Sequence, residues 1–158
     1  MAKEDGQEPN DVLEACELVT TGAASERLAL TWEQRRKSRL RAVTTAGTLV
    51  GLFLPRGTVL LDGSLLRASD GSIIEITAAP EDVSTIASTD AFLLARVAYH
   101  LGNRHVRTQV GPDFIRYRHD RATDELMRRL GAEVIVEEVP FEPERGTTDH
   151  AHDDDLAS

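Results

Sequence analysis

A single cysteine, Cys16, stands in a chain of 158 residues. It cannot close an internal disulfide, form a Cys-x-x-Cys redox pair or anchor a thiolate-rich metal site, and it reads as an ordinary thiol. Aromatic side chains make up only 4% of the chain, so a core has to be built from Leu, Val, Ile and Ala. No run approaches the roughly 18 consecutive apolar residues of a membrane helix, and the opening Met-Ala-Lys-Glu-Asp-Gly lacks the apolar centre of a secretory signal. The expected compartment is the cytoplasm, with no membrane partner. Also missing are a Gly-x-x-x-x-Gly-Lys phosphate loop, a dinucleotide-type glycine cluster, a Gly-x-Ser-x-Gly elbow and a His-Glu-x-x-His helix. Nothing assembles a nucleophile, a base and an oxyanion donor, so the expectation is a protein that is not an enzyme.

The charge that is present is unevenly placed. Residues 1–26 carry one Lys against seven acids and residues 142–158 one Arg against six, which leaves 16 basic and 14 acidic side chains for the nearly neutral middle. High charge with sparse apolar content cannot offset the entropy of ordering. Residues 1–26 are therefore expected to be a disordered acidic arm and residues 145–158 a flexible acidic tail. Their sign also argues against a nucleic-acid partner, because phosphate affinity rests on clustered Lys and Arg. The one basic run, Arg35 to Arg41, enters a strand, so its charges are expected to split between faces and to guard a solvated sheet edge.

Between the ends the patterning changes once. Residues 39–44, 48–54, 58–61, 65–68 and 73–76 read as short strands separated by turn signals, among them Asp62-Gly63 and Asp70-Gly71, with no helix. That predicts a small all-β barrel or sandwich-like domain over residues 27–78. After Ala78-Ala79-Pro80 the pattern becomes strand, helix, strand, strand, helix, strand over residues 79–144. The first helix is capped by Thr89 or Asp90 and stopped by a left-handed Gly102; the second runs from Asp120 to Gly131. This order predicts a ferredoxin-like βαββαβ domain with both helices on one face. The fold class is α+β, with two modules and disordered acidic termini.

The five histidines avoid the β module. Neutral imidazole suits nickel, copper and zinc. His105, just past a helix end whose carbonyls favour a cation, cannot hold a transition metal alone, but a symmetric dimer supplies a second copy. His100 is rotated by about 140° along the helix from His105 and is assigned to packing or the helix end. His119 lies at a strand end beside Asp120, which is read as the N-cap of the second helix. His150 and His152 form a His-x-His pair among tail carboxylates, able to capture a divalent ion, although an ordinary acidic end has the same composition.

Four segments carry a resemblance. Ala98-Tyr99-His100-Leu101-Gly102-Asn103-Arg104-His105 resembles the most distinctive motif of the urease accessory nickel chaperones. Leu54-Pro55-Arg56-Gly57 with Asp62-Gly63, Asp90-Ala91-Phe92-Leu93-Leu94-Ala95 and Pro140-Phe141-Glu142-Pro143-Glu144 are similar to further segments of that family in the same order. The resemblance implies a β module for protein contacts, and a ferredoxin-like module that forms a homodimer and binds Ni2+ at its interface. The principal metal histidine falls on His105 and a second on His119, while Arg121 stands where some relatives have another histidine. It also implies urease apoprotein and the urease accessory proteins, including the accessory GTPase, as partners, with His150 or His152 and water completing a loose metal shell. Zinc or copper is expected to bind as well. Two alternatives stay open from the residues: an assembly adaptor whose metal binding is incidental, and a nucleic-acid binder using the Arg35 to Arg41 run.

Overall fold

The computed structural model describes residues 12–146. The first module contains β1 (Leu13–Val19), β2 (Glu26–Leu30), α1 (Trp32–Arg35), β3 (Arg39–Val43), β4 (Leu49–Phe53), β5 (Leu65–Ala68) and β6 (Ile73–Ala78). They form one six-stranded sheet in the order β2-β6-β5-β1-β4-β3. Alternation drives it: Leu28 and Leu30, Val50 and Leu52, Ile74 and Ile76 point inward and are buried together, as the two-residue period of a strand requires. The two outer strands approach at one corner, where the Thr45 amide donates to the Arg27 carbonyl, so the sheet is a nearly closed barrel.

Three sequence expectations change in this module. Part of the arm assigned to disorder is strand: β1 lies between β5 and β4, antiparallel to the first and parallel to the second. Its acids, Glu14 and Glu17, are on exposed positions while Ala15 is buried, so backbone pairing on both edges, invisible in composition, carries the strand. Glu26, counted in the same arm, begins β2 and accepts hydrogen bonds from the Thr44 and Thr48 hydroxyls. Residues 1–11 and 147–158 lie outside the described residues.

Second, residues 58–61 pair in no strand; Leu60 is fully buried and its amide donates to the Arg35 carbonyl, so the segment fills the core as an irregular crossing. Third, a helix does occur: α1 is one turn closed by a capping box in which Thr31 and Gln34 exchange side-chain and backbone bonds, a reciprocal arrangement that stabilises very short helices. It also redirects the basic run. Arg35 turns into the protein, whereas Arg36, Lys37 and Arg39 line one cleft with Arg56, so these charges gather rather than split. Edge strand β3 nonetheless carries Arg39 and Arg41 on exposed positions.

The second module begins one residue after β6. It contains β7 (Pro80–Ala87), α2 (Ala91–Asn103), β8 (Thr108–Val110), β9 (Phe114–Arg118), α3 (Arg121–Arg129) and β10 (Ile135–Pro140), with an antiparallel sheet in the order β10-β7-β9-β8. One face of this sheet gives Ile86, Ile115 and Tyr117 to a core shared with Val97 and Leu101 of α2 and Met127 of α3. The other face meets the first module through Trp32, Val83 and Phe141.

That junction is fastened by Arg35, which is fully buried. Its guanidinium donates to the Glu142 carboxylate and the Phe141 carbonyl and lies 5.2 Å from the centre of the Trp32 ring. Planar, always charged and weakly hydrated, a guanidinium suits such a buried fork better than an ammonium does. Arg35→Ala is expected to lower the unfolding free energy by about 2–4 kcal/mol, by stranding a carbonyl and opening a cavity. Urea denaturation followed by Trp32 fluorescence measures it, and a loss below about 1 kcal/mol would contradict the assigned role.

Candidate metal site

His105 owes its position to how α2 ends. Asp90 caps the helix start, accepting from the Phe92 and Leu93 amides at 3.0 and 3.2 Å. Gly102 was expected to terminate the helix, but it lies inside α2, which runs on to Asn103. The left-handed residue is His105, with φ 57°, the one non-glycine residue with positive φ among those described. Its amide donates to the Gly102 carbonyl at 3.0 Å and the Val106 amide to the Leu101 carbonyl at 3.0 Å. These are the paired bonds of a Schellman closure, in which the left-handed position usually belongs to glycine.

The second helix supplies the internal comparison. α3 ends with Gly131 donating to the Arg128 carbonyl and Ala132 to the Met127 carbonyl, and Gly131 has φ 91°. The two helices use one device with different residues at the strained position. A left-handed conformation costs a side-chain-bearing residue roughly 1–2 kcal/mol. At α2 the chain keeps an imidazole there, exposed to solvent.

The surroundings of His105 are open. Its cleft is shared with Ala98, Gly102 and Val110, and with Glu144, Arg145 and Gly146 from the far end of the described chain. The Glu144 amide donates to the Thr108 carbonyl at 2.8 Å, which brings that end back across the sheet to β8. On the outer face of α2, Phe92 and Tyr99 are 73% and 67% exposed, seven residues apart and thus on one stripe. His100 is half-buried and meets the Tyr99 ring edge-on, with centroids 5.3 Å apart.

His119 follows β9 and is set differently. Its Nδ1 is 3.1 Å from Ser84 Oγ and 3.1 Å from Asp124 Oδ2, and its amide donates to the Asp82 carbonyl. Asp124 is fully buried in α3 and accepts from the Tyr117 hydroxyl at 2.8 Å. Asp120 is the N-cap of α3, accepting from the Thr123 amide and hydroxyl, and those bonds hold its carboxyl below the ordinary carboxylate value. Arg121 lines a cleft with His119, and that cleft shares no residue with the one at His105. Among the described residues no three His, Cys, Asp or Glu side chains gather as a ready-made metal site. His150 and His152 fall outside the described residues.

Ser84, Tyr117 and Asp124 were not foreseen as part of a site. The available signal was Asp124, a carboxylate on the same helical face as the buried Thr123 and Met127, where an apolar side chain is the norm. Such a carboxylate needs buried partners.

Fold and site together define a two-module α+β protein: a nearly closed β barrel followed by a four-stranded sheet backed by two helices, with separately presented imidazoles in the second module. No helix among the described residues is long and apolar enough to cross a membrane. Residues 10–79 match the family model of the UreE urease accessory protein N-terminal domain and residues 81–157 that of its C-terminal domain. The chain is 48% identical over 129 residues to the urease accessory protein UreE of Alkalilimnicola ehrlichii, covering 82% of this chain and 79% of that one. It is 47% identical over 136 residues to that of Proteus mirabilis, covering 86% and 84%. The chain belongs to the UreE family of urease accessory proteins.

Burial, and then the bond to Asp124, push the Tyr117 phenol well above its ordinary value of 10.0. The raised value means that Tyr117 contributes stability in full below pH 10. That contribution fades at higher pH, where the unfolded chain releases the proton and the folded chain retains it. Tyr117→Phe is therefore expected to flatten the fall in stability that sets in above about pH 10, leaving the curve from about pH 8 to pH 9 parallel to the parent's. Urea midpoints for both proteins from about pH 8 to pH 11 provide the check; curves that stay parallel above about pH 10 would refute it.

Proposed function

We propose that this protein is a nickel metallochaperone of urease maturation, in which two copies of His105 meet across a homodimer interface and hold Ni2+ for transfer to urease apoprotein. The observation that carries the reading is the left-handed His105: the same closure at α3 uses glycine, so the imidazole is kept at a cost in stability. The exposed Phe92 and Tyr99 stripe on the helix leading to His105 is an apolar surface suited to cover by a second copy of this ferredoxin-like module. Membership of the urease accessory family supports nickel as the metal and urease apoprotein as the acceptor, and the reading takes the accessory GTPase as a further partner and the cytoplasm as the site of action. This is a carrier's role and not an enzyme's.

Incomplete ligation is central to the mechanism. Two His105 imidazoles provide two nitrogen donors, and a transition ion accepts four to six. The described chain ends at Gly146 in the His105 cleft, and the four residues from there to His150 span at most about 14 Å. His150 or His152 can thus complete the shell together with water, at the high effective concentration a short tether gives. A structural zinc site is closed by four protein ligands; a shell finished by water and a tether exchanges readily, as delivery requires. His119 is a secondary ligand. Copper or zinc binds the same nitrogens in vitro, since affinity order follows the metal and not the cargo.

Calorimetric titration of nickel into the dimer is expected to give roughly one tight ion per dimer, lost in His105→Ala; unchanged binding in that variant would favour the adaptor reading. His105→Gly separates function from folding: it is expected to lose the ion yet gain roughly 0.5–1 kcal/mol of stability, because glycine adopts positive φ freely. A destabilised His105→Gly protein would count against the strain argument. Removing residues 147–158 is expected to weaken nickel affinity without lowering the unfolding midpoint, and identical affinity would reject a role for the tail.

A further inference from the structure

We propose that Asp124 is a positioning residue: it keeps the proton of His119 on Nδ1 and thereby presents Nε2 as the nitrogen open to a divalent metal. The inference goes beyond the reading above by assigning the group that orients the second histidine.

The geometry starts from the carboxylate. Asp124 is 1% exposed, and a buried carboxylate persists only where donors meet its oxygens. Oδ1 receives the Tyr117 hydroxyl at 2.8 Å. Oδ2 is fully buried and has no hydrogen-bond partner among the described residues, yet it lies 3.1 Å from the ring nitrogen Nδ1 of His119. If Nδ1 carried its lone pair, two acceptors would face each other at 3.1 Å inside the protein. With the proton on Nδ1, the ring N–H donates to Ser84 Oγ at 3.1 Å and its positive end lies beside the Oδ2 oxygen. Nε2 then holds the lone pair. No hydrogen-bond partner for Nε2 occurs among the described residues, and the ring as a whole is one-third exposed.

The elements around it leave this ring little freedom. The His119 amide is tied to the Asp82 carbonyl of β7, Ser84 is fully buried on the same strand, and Tyr117 is fully buried on β9. Asp124 sits one turn into a helix whose own start is fixed by Asp120. Two elements, β7 through Ser84 and α3 through Asp124, thus meet Nδ1, and none meets Nε2. In metal sites generally, a carboxylate on the far nitrogen fixes the tautomer and raises ligand basicity, and its loss weakens affinity about 10–100-fold.

Long-range nitrogen–proton NMR of histidine-labelled protein, free of metal, reads the tautomer directly. The wild-type spectrum is expected to show His119 protonated on Nδ1 and bare on Nε2. In Asp124→Asn, whose amide oxygen still accepts from Tyr117, the Nε2-protonated form is expected to appear. Copper(II), the tightest-binding divalent probe, is then titrated into the His105→Ala protein with and without Asp124→Asn and followed by electron paramagnetic resonance. A 10–100-fold weakening of the His119 signal is expected. A wild-type ring protonated on Nε2 overturns the proposal without any variant, so it stays testable even if Asp124→Asn fails to fold. An unchanged tautomer or an unchanged copper affinity in the folded variant also overturns it. Failure of the His105 reading would show instead as nickel binding retained in His105→Ala, with the His119 spectrum unaffected.

Discussion

The buried fork of Arg35 sets the geometry on which the rest depends. By holding the Phe141 carbonyl and the Glu142 carboxylate, it fixes where the chain goes after the last strand of the second module. From there the Glu144 amide reaches the Thr108 carbonyl, and Arg145 and Gly146 arrive beside His105. One guanidinium thus joins the two modules and sets the path by which residues 142–146 reach the candidate site. Burying a charge is not in itself stabilising; here the return is a defined path for fewer than ten residues. The Trp32 ring under the guanidinium and the Trp32 amide bond to Glu81 make the same junction rigid from the other side.

The two helix closures differ in the strain they carry. α3 ends on glycine, the residue that bears a left-handed conformation without strain; α2 ends on histidine. Had the demand at α2 been only to stop a helix, Gly102 was available three residues earlier, yet it is spent within the helix on the exposed side. An uncrowded glycine there, with nothing within 4 Å of where a Cβ would stand, lets another surface approach closely next to His105. Strain at His105 and open space at Gly102 are consistent with a helix end shaped for something outside this chain.

Much of this was readable in the residues, and the failures have physical causes. Strand alternation and helical spacing in the second module are strong because each element buries one face, so its order and Asp120 and Gly131 as helix ends follow from the sequence. The first strand was hidden because Glu14 and Glu17 face solvent while its order comes from backbone pairing with distant β4 and β5. Gly102 was misassigned because Gly near a helix end normally is the left-handed residue; only the backbone reveals that His105 holds that place. His105 itself stood out through a motif and not through periodicity. Asp124 could have been flagged as a carboxylate on a buried helical face, but its partner Tyr117 and the Ser84 that meets the same histidine come from two different strands, and proximity across a sheet is not written in local spacing.

On the proposed reading the two histidines would divide the work a carrier has to do. A ligand that must let go would benefit from sharing its ion with water, and His105 sits on an exposed, strained turn beside Arg145 and Gly146. A ligand that must be ready would benefit from pre-organisation, and His119 has its Nδ1 beside Ser84 of β7 and Asp124 of α3 and its amide tied to β7. Preorganised donors lose little entropy on binding, whereas a tethered donor pays it at each encounter and regains it at each release. Arg121, beside His119 where another imidazole would have strengthened the grip, adds a positive charge that opposes a second cation. On the proposed reading the held histidine would be a weak single donor, and the exchange of metal would fall to the open pair.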